Sequence, residues 1–199
     1  MLKNIVKYLS LIMLSILVRV NNLNCAMQEV APLINDDLKM ACERGDIISV
    51  RELIDQGIDI NAINSYGNTA LMLACLRNHL DIAKLLLDRG ANTEAKNNNG
   101  ATALMRACRN NNLDMATLLL DRGANINAQD NLGRTALMEA VRWDHLEMIK
   151  LLFTYNPDFA LRDTEDRDAL SYARNDEMRA LLRSYMADTK PATGIDKQN

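Results

Sequence analysis

Three glycines, Gly67, Gly100 and Gly133, stand 33 residues apart, and each opens a copy of one pattern. The copies begin "GNTALMLAC", "GATALMRAC" and "GRTALMEAV" and continue "NHLDIAKLLLDRGANTEAK", "NNLDMATLLLDRGANINAQ" and "DHLEMIKLLFTYNPDFALR". A strict period of this length constrains the fold more than any other feature of the chain. One copy is too small to bury its own apolar face, so neighbours must stack into a shared core. Two degenerate copies flank the three. Upstream, "DDLKMACERGDIISVRELIDQGIDINAI" keeps Leu38, Ala41, Gly57 and Asn61 in register. Downstream, "DRDALSYARNDEMRALLRSYM" keeps Ala169, Leu170 and Ala173, then drops three residues before Leu181 and Leu182. The expected domain therefore runs over 35–187 in about five units, 35–63, 64–96, 97–129, 130–162 and 163–187. The outer two serve as polar caps, with a linker at 27–34 and a disordered tail at 188–199.

Each unit reads as a helix pair. Thr69, Thr102 and Thr135 are N-caps whose hydroxyls accept an orphan backbone N–H. Leu71 and Ala74, with Cys75, then form an inward stripe on a short helix. A polar break at Arg77 to His79 precedes a second helix carrying Ile82, Leu85 and Leu86 at helical spacing. Gly90 and Gly123 follow "LLLDR", where a left-handed C-cap belongs, and "NNNG" ahead of Ala101 is turn chemistry. Aromatics make up only 4% of the chain, while Leu, Ala and Met are plentiful, which agrees with helix-on-helix packing.

The pattern resembles the ankyrin repeat, whose 33-residue unit is a β-turn plus two helices with the signature T-P-L-H-x-A. That signature stands here as Thr69-Ala70-Leu71-Met72-Leu73-Ala74, Thr102-Ala103-Leu104-Met105-Arg106-Ala107 and Thr135-Ala136-Leu137-Met138-Glu139-Ala140. The family's "G-A-D-x-N-A" stands as "GANINA" from Gly123 to Ala128. The resemblance implies an all-α solenoid of helix-turn-helix units joined by β-hairpin loops. Ala replaces Pro and Met replaces His throughout, so the usual Thr–His hydrogen bonding is absent and Met fills the space apolarly. Asn156-Pro157 replaces Gly-Ala, which predicts a distorted last hairpin.

The first 26 residues differ in kind. Lys3 and Lys7 precede the uncharged run "YLSLIMLSILV", which Arg19 closes, and the segment holds no acid. This is the layout of a secretory signal, with an apolar run well short of the ~20 residues that span a bilayer. Its end is unorthodox, because cleavage after Ala26 places Asn24 where a small residue is preferred. The alternative is an uncleaved anchor in the inner membrane. Export, to a periplasm or beyond the cell, is the expectation, and the abundance of Asn, Ile and Lys points to a bacterial source. Without that segment 20 basic residues face 26 acidic ones, which argues against a nucleic-acid partner.

Cys42, Cys75 and Cys108 also keep the 33-residue spacing. Equivalent residues of stacked helices sit roughly 8–10 Å apart and point in parallel, whereas a disulfide needs Cα atoms within about 7 Å and a zinc needs convergence. Val141 fills the fourth slot, so the position reads as small apolar packing. His79 and His145 share one repeat position, with Asn112 between, which suits structure better than catalysis. Asp81, Asp114 and Glu147 recur in the first turn of the second helix, where negative charge suits the dipole. No nucleophile triad, phosphate loop or paired-cysteine spacing is present, so neither cofactor, metal site nor catalytic residue is expected. An enzyme with an improvised groove site would rest on His79 or His145.

Residues that change from copy to copy carry the expected function. The ankyrin resemblance places a groove along the hairpin tips and the open face of the first helices. Those positions are Tyr66, Asn68, Leu73, Leu76 and Arg77, then Asn99, Arg106, Arg109 and Asn110, then Leu132, Arg134, Glu139, Arg142 and Trp143. Five arginines and the only tryptophan stand among them, and these residue types dominate binding hot spots. The expectation is a monomeric binding module whose partner is a protein with an acidic epitope. A membrane-tethered scaffold is the alternative if the N-terminal segment is retained.

Overall fold

The computed structural model describes residues 37–188. The expected signal and linker lie outside them, as does the expected tail beyond Asp188, which itself ends the last helix. Residues 37–44 form a first helix, α1. There follow α2 (Ile47–Asp55), α3 (Ala70–Arg77), α4 (Leu80–Asp88), α5 (Ala103–Arg109), α6 (Leu113–Asp121), α7 (Ala136–Arg142) and α8 (Leu146–Phe153), then a 3₁₀ turn (Ala169–Tyr172) and α9 (Asp176–Asp188). Two layers result. Helices α3, α5 and α7 pack in sequence and end on the 3₁₀ turn, while α2, α4, α6 and α8 pack behind them. No helix among the described residues is long and apolar enough to cross a membrane.

The first helices start where the threonines predict. Thr69, Thr102 and Thr135 have extended backbone, and each hydroxyl accepts from the amide three residues on, that of Met72, Met105 or Met138. Those methionines are buried, as are the small pairs Ala74-Cys75, Ala107-Cys108 and Ala140-Val141. Small side chains let successive helices approach closely, and the long ones interdigitate between them. Burial pushes the Cys42 and Cys75 thiols up to about 12, and Cys108 is raised as well. Such thiols stay protonated and poorly nucleophilic.

The second helices α4, α6 and α8 have no side-chain cap of their own, because the residue at that position reaches the previous unit instead. His79 Nε2 meets the Glu43 carbonyl at 3.2 Å, Asn112 Nδ2 donates to the Cys75 carbonyl at 3.2 Å, and His145 Nε2 meets the Arg109 carbonyl at 3.0 Å. Each reaches a carbonyl in the last turn of a first helix, where intrahelical partners run out, which explains why His and Asn alternate there. A further ladder joins the outer layer: Arg89 pairs with Asp55, Arg122 with Asp88, and the Tyr155 hydroxyl donates to Asp121.

The connections expected as β-hairpins contain no strand among the described residues. They are turns built on Asn64, Asn97, Asp130 and Asp163, again 33 residues apart. Each of these side chains accepts two backbone amides, two and four residues ahead: Tyr66 and Asn68, Asn99 and Ala101, Leu132 and Arg134, Glu165 and Arg167. Successive tips are joined by one backbone bond each, Asn98 to Tyr66, Asn131 to Asn99 and Thr164 to Leu132. A side chain that satisfies the turn internally leaves too few free amides and carbonyls to extend a ladder.

The expected distortion at Asn156-Pro157 is absent. Asn156 takes the left-handed conformation (φ 51°) that Gly123 takes (φ 81°), which Asn tolerates. Pro157 forgoes the amide bond that Ala124 makes to the Leu119 carbonyl. Beyond it, Phe153 stacks on Phe159 and Tyr185 and closes the end of the stack.

Candidate protein-binding face

The fourteen expected positions fall on the tips and the open side of α3, α5 and α7, but they divide into three kinds. Tyr66, Arg77, Asn99, Arg109, Asn110, Leu132 and Trp143 are exposed, and Leu76, Arg106, Arg134 and Arg142 are partly so. Leu73, Asn68 and Glu139 are corrections: all three are buried. Leu73 packs beneath the face. Asn68 Oδ1 is spent on Asn97 Nδ2 and Arg106 Nη2. Glu139 sits in the slot of Leu73 and Arg106 and is the hub of an internal network.

That network changes the electrostatics. Glu139 Oε1 lies 2.9 Å from Arg134 Nη1 and 3.8 Å from Arg142 Nη1, and Oε2 accepts from the Trp143 indole at 3.3 Å. Arg134 also makes a two-pronged contact with Asp130. Burial opposes its charge, but the Asp130 hydrogen bond and the Glu139 carboxylate raise its pKa further. Arg77 pairs with Glu43 of the first unit. Three of the five arginines are therefore neutralised wholly or in part from within. The next unit repeats the design, with Arg167 on Asp163 and Tyr172 donating to the same carboxylate. Burial pushes the Asp163 carboxyl up, yet the bonds from Tyr172 and from the Arg167 backbone and side chain outweigh it and hold it well below the usual carboxylate range.

Arg106 and Arg109 differ. Among the described residues no carboxylate pairs with either; Arg106 finds the neutral Asn68, and Arg109 lies over the Trp143 ring, 5.3 Å from its centroid, with Arg142 at 6.0 Å. The indole is thus held by one hydrogen bond and two cations, while 43% of the residue stays exposed. Met40, in the register of Leu73, is also 43% exposed, Leu132 53% and Tyr66 71%.

Sequence reading overlooked the residues that hold this face in place, Glu43, Asp130 and Asp163 as counter-charges and Asn64 and Asn97 as turn centres. The signal was available in the 33-residue recurrence of Asn or Asp three positions before each turn glycine.

These features define a stacked helix-pair solenoid that presents a fixed open face. A family profile described as "Ankyrin repeats (3 copies)" matches residues 3–97, 38–130 and 91–163, and the chain belongs to the ankyrin-repeat family. No curated protein matches it. Ankyrin repeats are generally protein–protein interaction modules and typically not enzymes. The first match begins inside the segment expected as a signal.

Proposed function

We propose that this protein is an exported, monomeric binding module that captures one partner protein through the tips and the open face of α3, α5 and α7. The observation that carries this is the exposure of Met40, Tyr66, Leu132 and Trp143 on a surface whose other side chains are largely hydrogen-bonded or ion-paired within the fold. Apolar and aromatic groups held in place lose little entropy on association, and that is what a recognition surface needs. The uncommitted charges of Arg106 and Arg109 add preference for an acidic epitope. The mechanism is recognition without turnover. Export is supported by the basic, then apolar, layout of the first 26 residues. If that segment is retained, the same module becomes a tethered scaffold.

The test is quantitative affinity capture with the full chain and with a Tyr66→Ala/Trp143→Ala double variant. Loss of specific partners by about tenfold or more is expected, since two hot-spot residues are removed. Recovery of the same partners at the same yield sinks the reading. Sequencing the N-terminus of the protein recovered from cells decides between export and tethering.

A further inference from the structure

One pair of side chains is left unfinished by the fold. Arg106 is half-buried at the centre of α5, and its Nε lies out of contact with solvent and has no hydrogen-bond partner. Its Nη2 reaches only Asn68 Oδ1, at 2.9 Å, an atom shared with Asn97. Burial and the neighbouring Arg109 charge both oppose its protonated form and lower its pKa. Buried guanidinium groups are normally met by a carboxylate.

Arg106 and Arg109 border a cavity of about 120 Å³ between the tips and the first helices of the third and fourth units, with Asn97, Asn99 and Met105 beside them. Asp130, Arg134 and Glu139 also line it; Asp130 is hydrogen-bonded to Arg134, and Glu139 Oε1, itself without a hydrogen-bond partner, is ion-paired with Arg134 Nη1 at 2.9 Å. The space suits a small planar anion, and those two acids disfavour a doubly charged one. Trp143 adjoins the site through Arg109.

Resting on the reading of this face as a protein-binding surface, we infer that Arg106 and Arg109 form its specificity pocket. It takes one Asp or Glu side chain of the partner, with an apolar neighbour of that residue laid against Trp143. The carboxylate accepts from the part of the Arg106 guanidinium that borders the cavity and stands between two like charges, those of Arg106 and Arg109. An acidic patch is therefore unnecessary; a single carboxylate in the right place suffices.

The test uses the full chain and three probes: acetyl-Phe-Asp-Gly-amide, its Asn counterpart, and inorganic phosphate. The readouts are the Arg106 Nε–H resonance and Trp143 fluorescence. The Asp peptide should shift the Arg106 resonance saturably, and the Asn peptide should bind about tenfold more weakly, as loss of a charge-assisted bond implies. Arg109→Gln should weaken the Asp peptide by a similar factor, while Arg122→Gln, which removes the same charge from the outer layer, should not. Equal binding of the two peptides, tighter binding of phosphate, or an equal effect of Arg122→Gln overturns the assignment. If both peptides quench Trp143 while Arg106 stays silent, the pocket is wrong and the binding face stands. If nothing perturbs either group, the pocket fails, and the capture experiment with the Tyr66/Trp143 variant judges the face by itself.

Discussion

A Cβ built on Gly100 would lie 2.5 Å from the backbone nitrogen of Asn131, in the next turn. Gly67 meets Asn98 and Gly133 meets Asp163 in the same way, and all three glycines have φ near +75°. The equivalent of these glycines in the last unit is Asp166, also left-handed at 61°. Among the described residues no further tip lies beyond it. We expect Gly100→Ala to cost about 2 kcal/mol or more, from backbone strain and collision together. Asp166→Gly should change stability by less than about 0.5 kcal/mol, as surface substitutions usually do. Urea denaturation of the two variants checks the contrast; a gain from Asp166→Gly as large as the loss from Gly100→Ala would show that conformation alone, and not the next tip, requires glycine.

Glu139 occupies a slot that Leu73 fills two units earlier, so an apolar side chain fits it. Replacing it with Leu leaves Arg134 its Asp130 partner and should alter stability by no more than about 1 kcal/mol, since buried ion pairs are often exchangeable for packing. The indole of Trp143 loses its hydrogen-bond acceptor. Acrylamide quenching of this sole tryptophan should therefore rise while the unfolding midpoint barely moves.

The Asp163 carboxyl is held below its ordinary value by Tyr172 and Arg167. A depressed folded pKa contributes stability above the unfolded value and loses it as pH falls toward the folded one. Asp163→Asn should thus lower the melting temperature at pH 7, and the gap from the parent protein should narrow below about pH 4, where the unfolded carboxyl binds its proton. A gap independent of pH would show that the amide loses only hydrogen-bond geometry.

Buried thiols with raised pKa react only when the chain opens. Modification of Cys75 and Cys108 by a thiol reagent at pH 8 should follow the unfolding rate. Cys108→Val should be nearly neutral, because Val141 fills the same slot in the next unit. Cys108→Ser should cost about 1–3 kcal/mol by burying a hydroxyl without an assured partner. Rapid labelling of the native protein would place the thiols at a surface.

The Thr102 hydroxyl caps α5 by accepting the Met105 amide. Thr102→Ala should cost about 1 kcal/mol, measured by thermal unfolding. The same substitution at Thr69 or Thr135 should cost a similar amount, because the geometry repeats.

Local chemistry at a fixed period was enough to read the helix pairs, the threonine caps, the buried cysteine slot and the left-handed glycines from the sequence. Each of those features is satisfied within one unit or by identical neighbours, so the 33-residue spacing carries the information. The tertiary structure alone decided which variable residues are available. Leu73 and Glu139 share a register with Arg106, yet the first packs away and the second anchors three side chains. Arg134 and Arg77 are charged in the sequence but paired in the fold, while Arg106 and Arg109 are not. Exposure and charge neutralisation depend on distances between units, Arg77 to Glu43 among them, and a linear sequence does not specify which side chains will meet across a stack. The sequence thus determined the scaffold, and the packing of one repeat on the next selected the few variable side chains left exposed.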